Sequence, residues 1–519
     1  MKKLFRIFLL LWIITLTVGC VTTNPNPNKP KTEAEVLAEV NKNLEAVDEL
    51  TIDVSFVPET DDPIDFLRIL TVNDFHGALA ETDQAAGAAR MGKYLIDQRN
   101  LNPNETIVLS AGDMFQGTGI SNFRRGLDVI KWMNAVKFDA MTIGNHEFDW
   151  GISEILKYRD GDLSNGEADF PLLGANIVQK ANGQILPNTE PYTIINKGHL
   201  KVGIVGYIGY GLESDIAVGM VKDYKFESIP TTIGPIIEDL RKNQQVDIII
   251  ALGHDGSETT NSMLAGLTGY QAVDAIVNGH YHLNISDYIT SVDNREIPIV
   301  QAGSSGEYVG DITLNINPIT KKITGVSSST VKMGSSPPKH DSIDNYINAL
   351  IHATAPLFSR VIGVAGTTIT KYPTVTWAAD ALKAHTNADV AFINSGGIRG
   401  DAFPIAKGTE VTVGHLYKIM PFDNTVKTVT LTGTQIRVIL NFSLSSSSNL
   451  VAKGSSVTID GVPLVDTRTY RVASIDYVFD QKQYPFLDGT NIEADGLLFR
   501  DVLIKAIEKL TQQNQEWIP

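Results

Sequence analysis

Five short apolar runs mark the first two thirds of the chain: Phe66–Val72, Ile107–Leu109, Phe138–Ile143, Val246–Leu252 and Val273–Val277. Each is rich in Val, Ile or Leu and leads into a short polar segment. Runs of this length suit strands covered on both faces, since a half-exposed strand would alternate apolar with polar positions. With helices between them they predict an α/β domain over residues 64–335. Upstream, Val36, Val40, Leu44, Val47 and Leu50 recur at helical spacing among acidic positions, which predicts a short stalk helix over residues 34–50. G-S-S-P-P-K at 334–339 breaks the pattern, and Ile343–Leu357 predicts a connecting helix within a linker spanning 336–358. Mixed strands and helices predict a second domain over 359–519, with a Ser-rich surface loop at 443–448.

The polar segments after the five runs carry the candidate chemistry. They are N-D-F-H-G at 73–77, G-D at 112–113, G-N-H-E-F-D at 144–149, G-H at 253–254 and G-H-Y-H at 279–282. Ligands of open α/β sheets gather outside the carboxyl ends of strands. Asp74, His76, Asp113, Asn145, His146, His254, His280 and His282 are therefore expected to converge. A single G-H or G-D at a strand end is ordinarily structural, but five of the ten histidines fall inside this one ordered set. Imidazole, carboxylate and amide oxygen, with no thiolate nearby, suit Zn, Mn, Fe or Co. A catalytic ion takes about three protein ligands and keeps a position open, so the set suits two divalent ions. Asp113 is the natural bridge, because its turn lies between the other two early strand ends. Bridged ions of this kind sit roughly 3.5–4 Å apart.

The order D-x-H, G-D, G-N-H-E, G-H and G-H-x-H resembles the metallophosphoesterase superfamily. Within it, G-N-H-E-F-D and the later N-S-G-G-I-R at 394–399 resemble the bacterial 5′-nucleotidase / UDP-sugar hydrolase family, over roughly residues 64–500. The resemblance implies a four-layer α/β sandwich followed by a mixed α/β substrate-binding domain. It implies one ion on Asp74, His76, Asp113 and His282, and a second on Asp113, Asn145, His254 and His280. It also implies that His146 and Asp149 are a catalytic pair. A helical turn beginning after Asn145 would bring those two onto one face. The Asp149 carboxylate would then fix the imidazole tautomer and favour its cationic form. Such a cation stabilises charge at phosphorus or protonates the leaving oxygen, while water activated by the ions attacks from the opposite side.

In the second domain the resemblance implies that Asn394 and Arg399 grip phosphate, that Phe422 stacks on a base and that Asn424 makes a polar contact to it. An aromatic and an aspartate near the C-terminus are expected to complete the subsite; Phe486, or Tyr484, and Asp495 of E-A-D-G are the candidates. One stretch departs from the family pattern. Thr367–Leu382 lacks the usual Arg and the following L-G-N, and Lys371 supplies only a point charge there. The expected reaction is hydrolysis of nucleoside 5′-monophosphates to nucleoside and phosphate. The alternatives are 2′,3′-cyclic nucleotides or UDP-sugars as substrates, and, more remotely, a non-catalytic surface nucleotide-binding or adhesion lipoprotein.

The beginning of the chain predicts an address. Lys2, Lys3 and Arg6 precede the apolar Ile7–Val18, an arrangement that reads as an export signal too short to cross a bilayer stably. Cys20 is the single cysteine, so no intrachain disulfide is available. Its place after Val18-Gly19 resembles a bacterial lipobox, with Thr17 departing from the usual Leu. Residues 1–20 are thus expected to be a lipoprotein signal peptide and Cys20 the lipidated residue, with 21–63 as tether and stalk. The Pro- and Asn-rich Thr22–Lys31 would hold the enzyme off the membrane surface. The formal charge of −16 argues against binding nucleic acid polymers.

Overall fold

Strand Phe66–Val72 lies between two apolar layers, and its alternation assigns each side chain to one of them. Leu67 and Ile69 point into the space between two sheets, whereas Leu70 and Val72 point to an outer layer of helices. The structure, a computed structural model, describes residues 31–47, 49–52, 56–57, 59–82, 85–335 and 337–519. The expected signal peptide, Cys20 and most of the tether lie outside the described residues.

Two six-stranded sheets form the first domain. In the first, Phe66–Val72, Thr106–Ser110, Ala140–Thr142 and Leu172–Leu173 run parallel, and Tyr308–Ile316 and Ile323–Lys332 add antiparallel at the other edge. In the second, Leu200–Ile208, Ile248–His254, Ala275–Val277 and Glu296–Ala302 run parallel, flanked by antiparallel Tyr192–Lys197 and Asn284–Thr290. The sheets face each other across Leu67, Ile69, Ile107, Leu109, Val202, Ile204, Ile250, Leu252 and Val277. Helices Gly87–Leu101 and Leu127–Val136 cover one outer face, and Ile229–Lys242 covers the other with Ile229, Ile233, Ile237 and Leu240. The four layers are helix, sheet, sheet, helix. All five predicted runs are strands, trimmed or shifted by a residue or two where turns take over their ends.

The second domain holds a five-stranded mixed sheet in the order Ser445–Ser446, Val390–Ile393, Thr469–Ile475, Thr425–Thr432, Thr490–Leu498. Helices Lys371–Thr386 and Phe499–Gln512 contribute to its core. The serine run is not the surface loop expected. Ser445 and Ser446 pair with Ile393 and Phe392, and the buried Ser447 hydroxyl accepts from the Ala391 amide at 3.1 Å. Serine hydroxyls there satisfy a sheet edge that an apolar side chain would leave unpaired.

Helix Asp341–Phe358 joins the domains and belongs to both cores: Ile343 and Ile347 pack into the first, Leu350, Ala353 and Leu357 into the second. The stalk forms helix Glu33–Glu45, closed at its start by a reciprocal Thr32–Glu35 capping box. Its Val36, Val40 and Leu44 pack in the same cluster as Leu350 and Ala353, so this helix lies on the inter-domain connection. The helix stops short of Val47 and Leu50, which pack from beyond its end. Among the described residues no helix is long and apolar enough to cross a membrane.

Leu67 is fully buried between the two sheets. Leu67→Ala is expected to cost the first domain about 2–5 kcal/mol, read as a lowered midpoint in guanidinium denaturation; an unchanged midpoint would place that layer outside the cooperative core.

Candidate metal centre and active-site cleft

The strand ends of both sheets open toward one spot, and the backbone there is unusual. Asp74, His76, Asp113, His280 and His282 all have positive φ, between 49° and 76°. Asp and His tolerate this left-handed region better than most residues, though it still costs roughly 1–3 kcal/mol each. Sharp turns of this kind aim each side chain back over its strand end. Two glycines make room for the cluster. A Cβ on Gly144 would stand 2.2 Å from Asp113 Oδ1, and one on Gly112, whose φ is +87°, would stand 2.8 Å from His254 Nδ1.

Glu147 ties the turns together. Its buried carboxylate accepts the backbone N–H groups of Asp113 at 2.9 Å, Met114 at 3.0 Å and Gly144 at 2.7 Å. Burial, and then the Asp113 charge, push its pKa up to about 7. Asp113 in turn accepts the His146 backbone N–H at 2.9 Å, and Asp74 accepts that of His280 at 2.9 Å. Each candidate ligand turn is therefore held by a neighbouring one.

The ligand atoms converge within hydrogen-bond distance of one another. His254 Nδ1 lies 2.7 Å from the Ala111 carbonyl, which can only accept, so Nδ1 carries a proton and Nε2 is the nitrogen available to a cation. That nitrogen faces Asp113 Oδ2 at 3.1 Å and Asn145 Oδ1 at 3.0 Å. His76 Nδ1 likewise donates to the Gln116 carbonyl at 2.9 Å, which leaves its Nε2 facing His282 Nε2 at 3.0 Å. Asp74 Oδ1 lies 3.3 Å from the same His282 nitrogen. His280 Nδ1 faces Asn145 Oδ1 at 3.0 Å. Acceptors turned toward one another in a dry site call for cations between them. The donor sets Asp74–His76–His282 and Asp113–His254–His280 each fit one ion, with Asp113 also grouped with His76 and His146.

Electrostatics gives the same result. Burial would push His254 down, yet Asp113 outweighs it and raises the imidazole to about 10. Burial would raise the Asp113 carboxyl, but the His254 and His146 imidazoles hold it well below the usual carboxylate range. Divalent cations do for these carboxylates what protonated imidazoles would otherwise do.

His146 stands beside this cluster, on the 3-10 turn His146–Phe148. Residues three apart eclipse on such a turn, and His146 Nδ1 meets Asp149 Oδ2 at 2.7 Å. Burial would lower the imidazole, but Asp149 and then Asp113 raise it to about 9. The cleft outside holds about 290 Å³, bounded by Asp113, Asn145, His146, Asp149, His280 and His282 on one side and by second-domain residues on the other.

The second domain brings Asn394, Arg399, Phe422 and Asn424 to that cleft. Phe422 lies nearly parallel to the His146 ring, with centroids 5.6 Å apart, and the Arg399 guanidinium lies 6.0 Å from the Phe422 ring centre. Asn424 donates to Asp476 at 3.0 Å. Two expectations are revised. Phe486 is fully buried and stacks on Phe479 at 5.3 Å, so it belongs to the core. Asp495 lies on the exposed edge strand Thr490–Leu498, 3.2 Å from His385 Nε2, because E-A-D-G continues the sheet instead of turning over the cleft. Tyr484 packs edge-on against Phe442. The aromatic that joins Phe422 at the cleft is Tyr477, just after strand Thr469–Ile475.

The sequence reading missed Glu147, Asp215 and Tyr477. Glu147 stood inside a quoted motif without a role. Asp215 and Tyr477 each follow a further apolar run, Val202–Ile208 and Val472–Ile475, and attention to every strand end would have found them.

The domains touch around this cleft. Asn122 donates to the Pro421 carbonyl at 2.9 Å, and Arg125 pairs with Asp423 at 2.7 Å. Asp423 also pairs at 2.8 Å with the buried Arg500, which donates to the Met420 and Phe422 carbonyls at 3.2 Å. This network fixes the segment that carries Phe422.

Comparison with known proteins agrees with this geometry. Residues 67–284 match the calcineurin-like phosphoesterase family and residues 352–457 match the 5′-nucleotidase C-terminal domain. A 5′-nucleotidase of Bos taurus is 28% identical over 448 residues, covering 77% of this chain and 75% of the relative. Endonuclease YhcR of Bacillus subtilis is 27% identical over 467 residues, but the chain spans only 36% of its length. The crystal structure of a 5′-nucleotidase precursor from Thermus thermophilus superposes with a TM-score of 0.74 at 22% identity, covering 86% of this chain and 96% of that one. Fold and site thus define a two-domain metallophosphoesterase, of a class that uses divalent metals. Its second domain matches the C-terminal domain of 5′-nucleotidases, so the chain pairs the two domains that its 5′-nucleotidase relatives are matched over.

Asp113→Ala is expected to empty both sites, lowering metal content by emission spectroscopy from about two ions per chain towards none. Full metal in that variant would remove Asp113 from its bridging place. Glu147→Ala leaves three buried N–H groups without their acceptor, at about 1–3 kcal/mol each. Thermal unfolding should shift well below wild type, and an unshifted transition would show that Glu147 does not hold the turns.

Proposed function

We propose that the protein hydrolyses the phosphate ester of nucleoside 5′-monophosphates, releasing nucleoside and phosphate, in the cleft between its two domains. The observation that carries this reading is that the lone-pair cluster and the His146–Asp149 pair open onto the same cleft as Arg399 and Phe422. Asp74, His76, Asp113 and His282 would hold one divalent ion, and Asp113, Asn145, His254 and His280 a second. Such ions, when bound, neutralise phosphoryl charge and lower the pKa of the attacking water.

The chain's own residues perform the rest. Asp149 holds the His146 proton on Nδ1 and favours the imidazolium, whose Nε2–H faces the cleft. From there it donates to a phosphoryl or leaving-group oxygen as negative charge develops. Arg399 binds phosphoryl oxygens through its planar fork. Phe422, steadied through the Arg500–Asp423–Arg125 network, offers an aromatic face, and Asn394, Asn424 and Tyr477 line the rest of the nucleoside space. Aromatic stacking of a base is worth about 1–3 kcal/mol.

A second reading has one observation in its favour. Among the described residues Arg399 is the single Arg bordering the cleft, which Asp149, Asp215, Asp423 and Asp476 also border. A wall so acidic suits a singly charged phosphodiester better than a doubly charged monoester or a UDP-sugar, which carries two charges as well. Measuring phosphate release and separated products with AMP, 2′,3′-cyclic AMP and UDP-glucose distinguishes these. Fastest turnover of AMP supports the leading reading, and activity on none would leave a nucleotide-binding lipoprotein without catalysis.

We also propose export and lipid anchoring through Cys20, on the strength of the basic and apolar pattern that precedes it; the anchor would place the enzyme on the extracytoplasmic side of the cell membrane.

His146→Asn and Asp149→Asn are expected to lower kcat on the order of a hundredfold or more while both ions stay bound. Loss of metal from either variant would make that residue a ligand and undo the pair assignment.

A further inference from the structure

Strand Leu200–Ile208 runs beside Ile248–His254 and ends next to His254, whose carbonyl accepts the Gly209 N–H at 3.1 Å. The segment that follows holds Glu213 and Ser214 and carries Asp215 to the cleft. Glu213 anchors it by accepting the Phe226 N–H at 2.6 Å. The Ser214 carbonyl is met by the Tyr477 hydroxyl at 3.4 Å and the Gln481 amide at 3.3 Å, both from the second domain. Held from two sides, the loop sets Asp215 Oδ2 3.4 Å from His280 Nε2. The other nitrogen of that ring is the one facing Asn145 Oδ1.

An imidazole that turns one nitrogen to a cation carries its proton on the other, and the acceptor of that proton fixes the ring and strengthens the ligand. A carboxylate bordering a phosphate cleft would also repel substrate unless its charge is engaged. Contact with His280 answers both requirements.

We propose that Asp215 is a positioning residue for the metal centre: it accepts the Nε2–H of His280 and so holds the Nδ1 lone pair toward Asn145 and Asp113. The proposal rests on the reading of His280 as a ligand. Its scope is one site, since His282, the ligand expected for the other ion, lies against Asp74.

The test is Mn(II) binding to the metal-stripped full-length chain, followed by titration calorimetry, for wild type, Asp215→Ala, Asp215→Glu and Glu213→Ala. Asp215→Ala is expected to weaken one of two sites about 10–100-fold and leave the other unchanged. Asp215→Glu, which keeps the carboxylate, restores most of the affinity. Glu213→Ala loosens the loop without touching His280 and loses less. Wild-type affinity at both sites in Asp215→Ala overturns the proposal, and so does an equal loss in Glu213→Ala, which would make loop shape the cause. A wild-type chain that binds no Mn(II) overturns the metal reading itself and this proposal with it.

Discussion

The structure depends on holding acceptors against acceptors. Carboxylate oxygens, an amide oxygen and imidazole nitrogens are packed within hydrogen-bond distance, on turns whose backbone is left-handed at five candidate ligand positions. At roughly 1–3 kcal/mol for each such residue, the conformational cost approaches the whole stability of an ordinary domain, about 5–15 kcal/mol. Part of it is offset by the cross-linking of the turns: Glu147 on three backbone amides, Asp113 on the His146 amide, Asp74 on the His280 amide. The proposed chemistry follows from the same constraint, because a cluster that gathers cations would present their positive charge to a phosphoryl group.

On the proposed reading, the second domain gives this charged pocket its substrate preference. Its segment Met420–Asn424 is held by Arg500 from below and by Asn122 and Arg125 of the first domain from the side. Phe422 is consequently laid on His146, the residue assigned to proton donation. In the proposed mechanism, recognition and catalysis meet in that contact. The linker helix, shared between both cores and covered by the stalk helix, sets where one domain lies on the other.

Much of this was legible in the sequence, for physical reasons that also mark the limits. Buried parallel strands tolerate few polar side chains, so Phe66–Val72 and Val246–Leu252 stand out as apolar runs and the polar segments after them stand out as chemistry. His146 and Asp149 were legible because a helical turn has few ways to present residues three apart. The second domain was read less well. Phe486 and Asp495 were placed by analogy to a turn, but residues 490–498 form an edge strand, and no local signal distinguishes E-A-D-G in a turn from E-A-D-G in a bulged strand. Glu147 escaped because its role lies in three amides contributed by two other turns. Asp215 escaped because acidic residues on exposed loops are common, and what sets this one apart is the ring it touches.

The central claim is that the left-handed turns hold two cations sharing Asp113. Anomalous diffraction at the manganese edge, from crystals of the full chain soaked in Mn(II), tests it most directly. The account predicts two peaks, one among Asp74, His76 and His282 and one among Asn145, His254 and His280, with the Asp113 carboxylate between them. A single peak, or peaks away from Asp113, would contradict it.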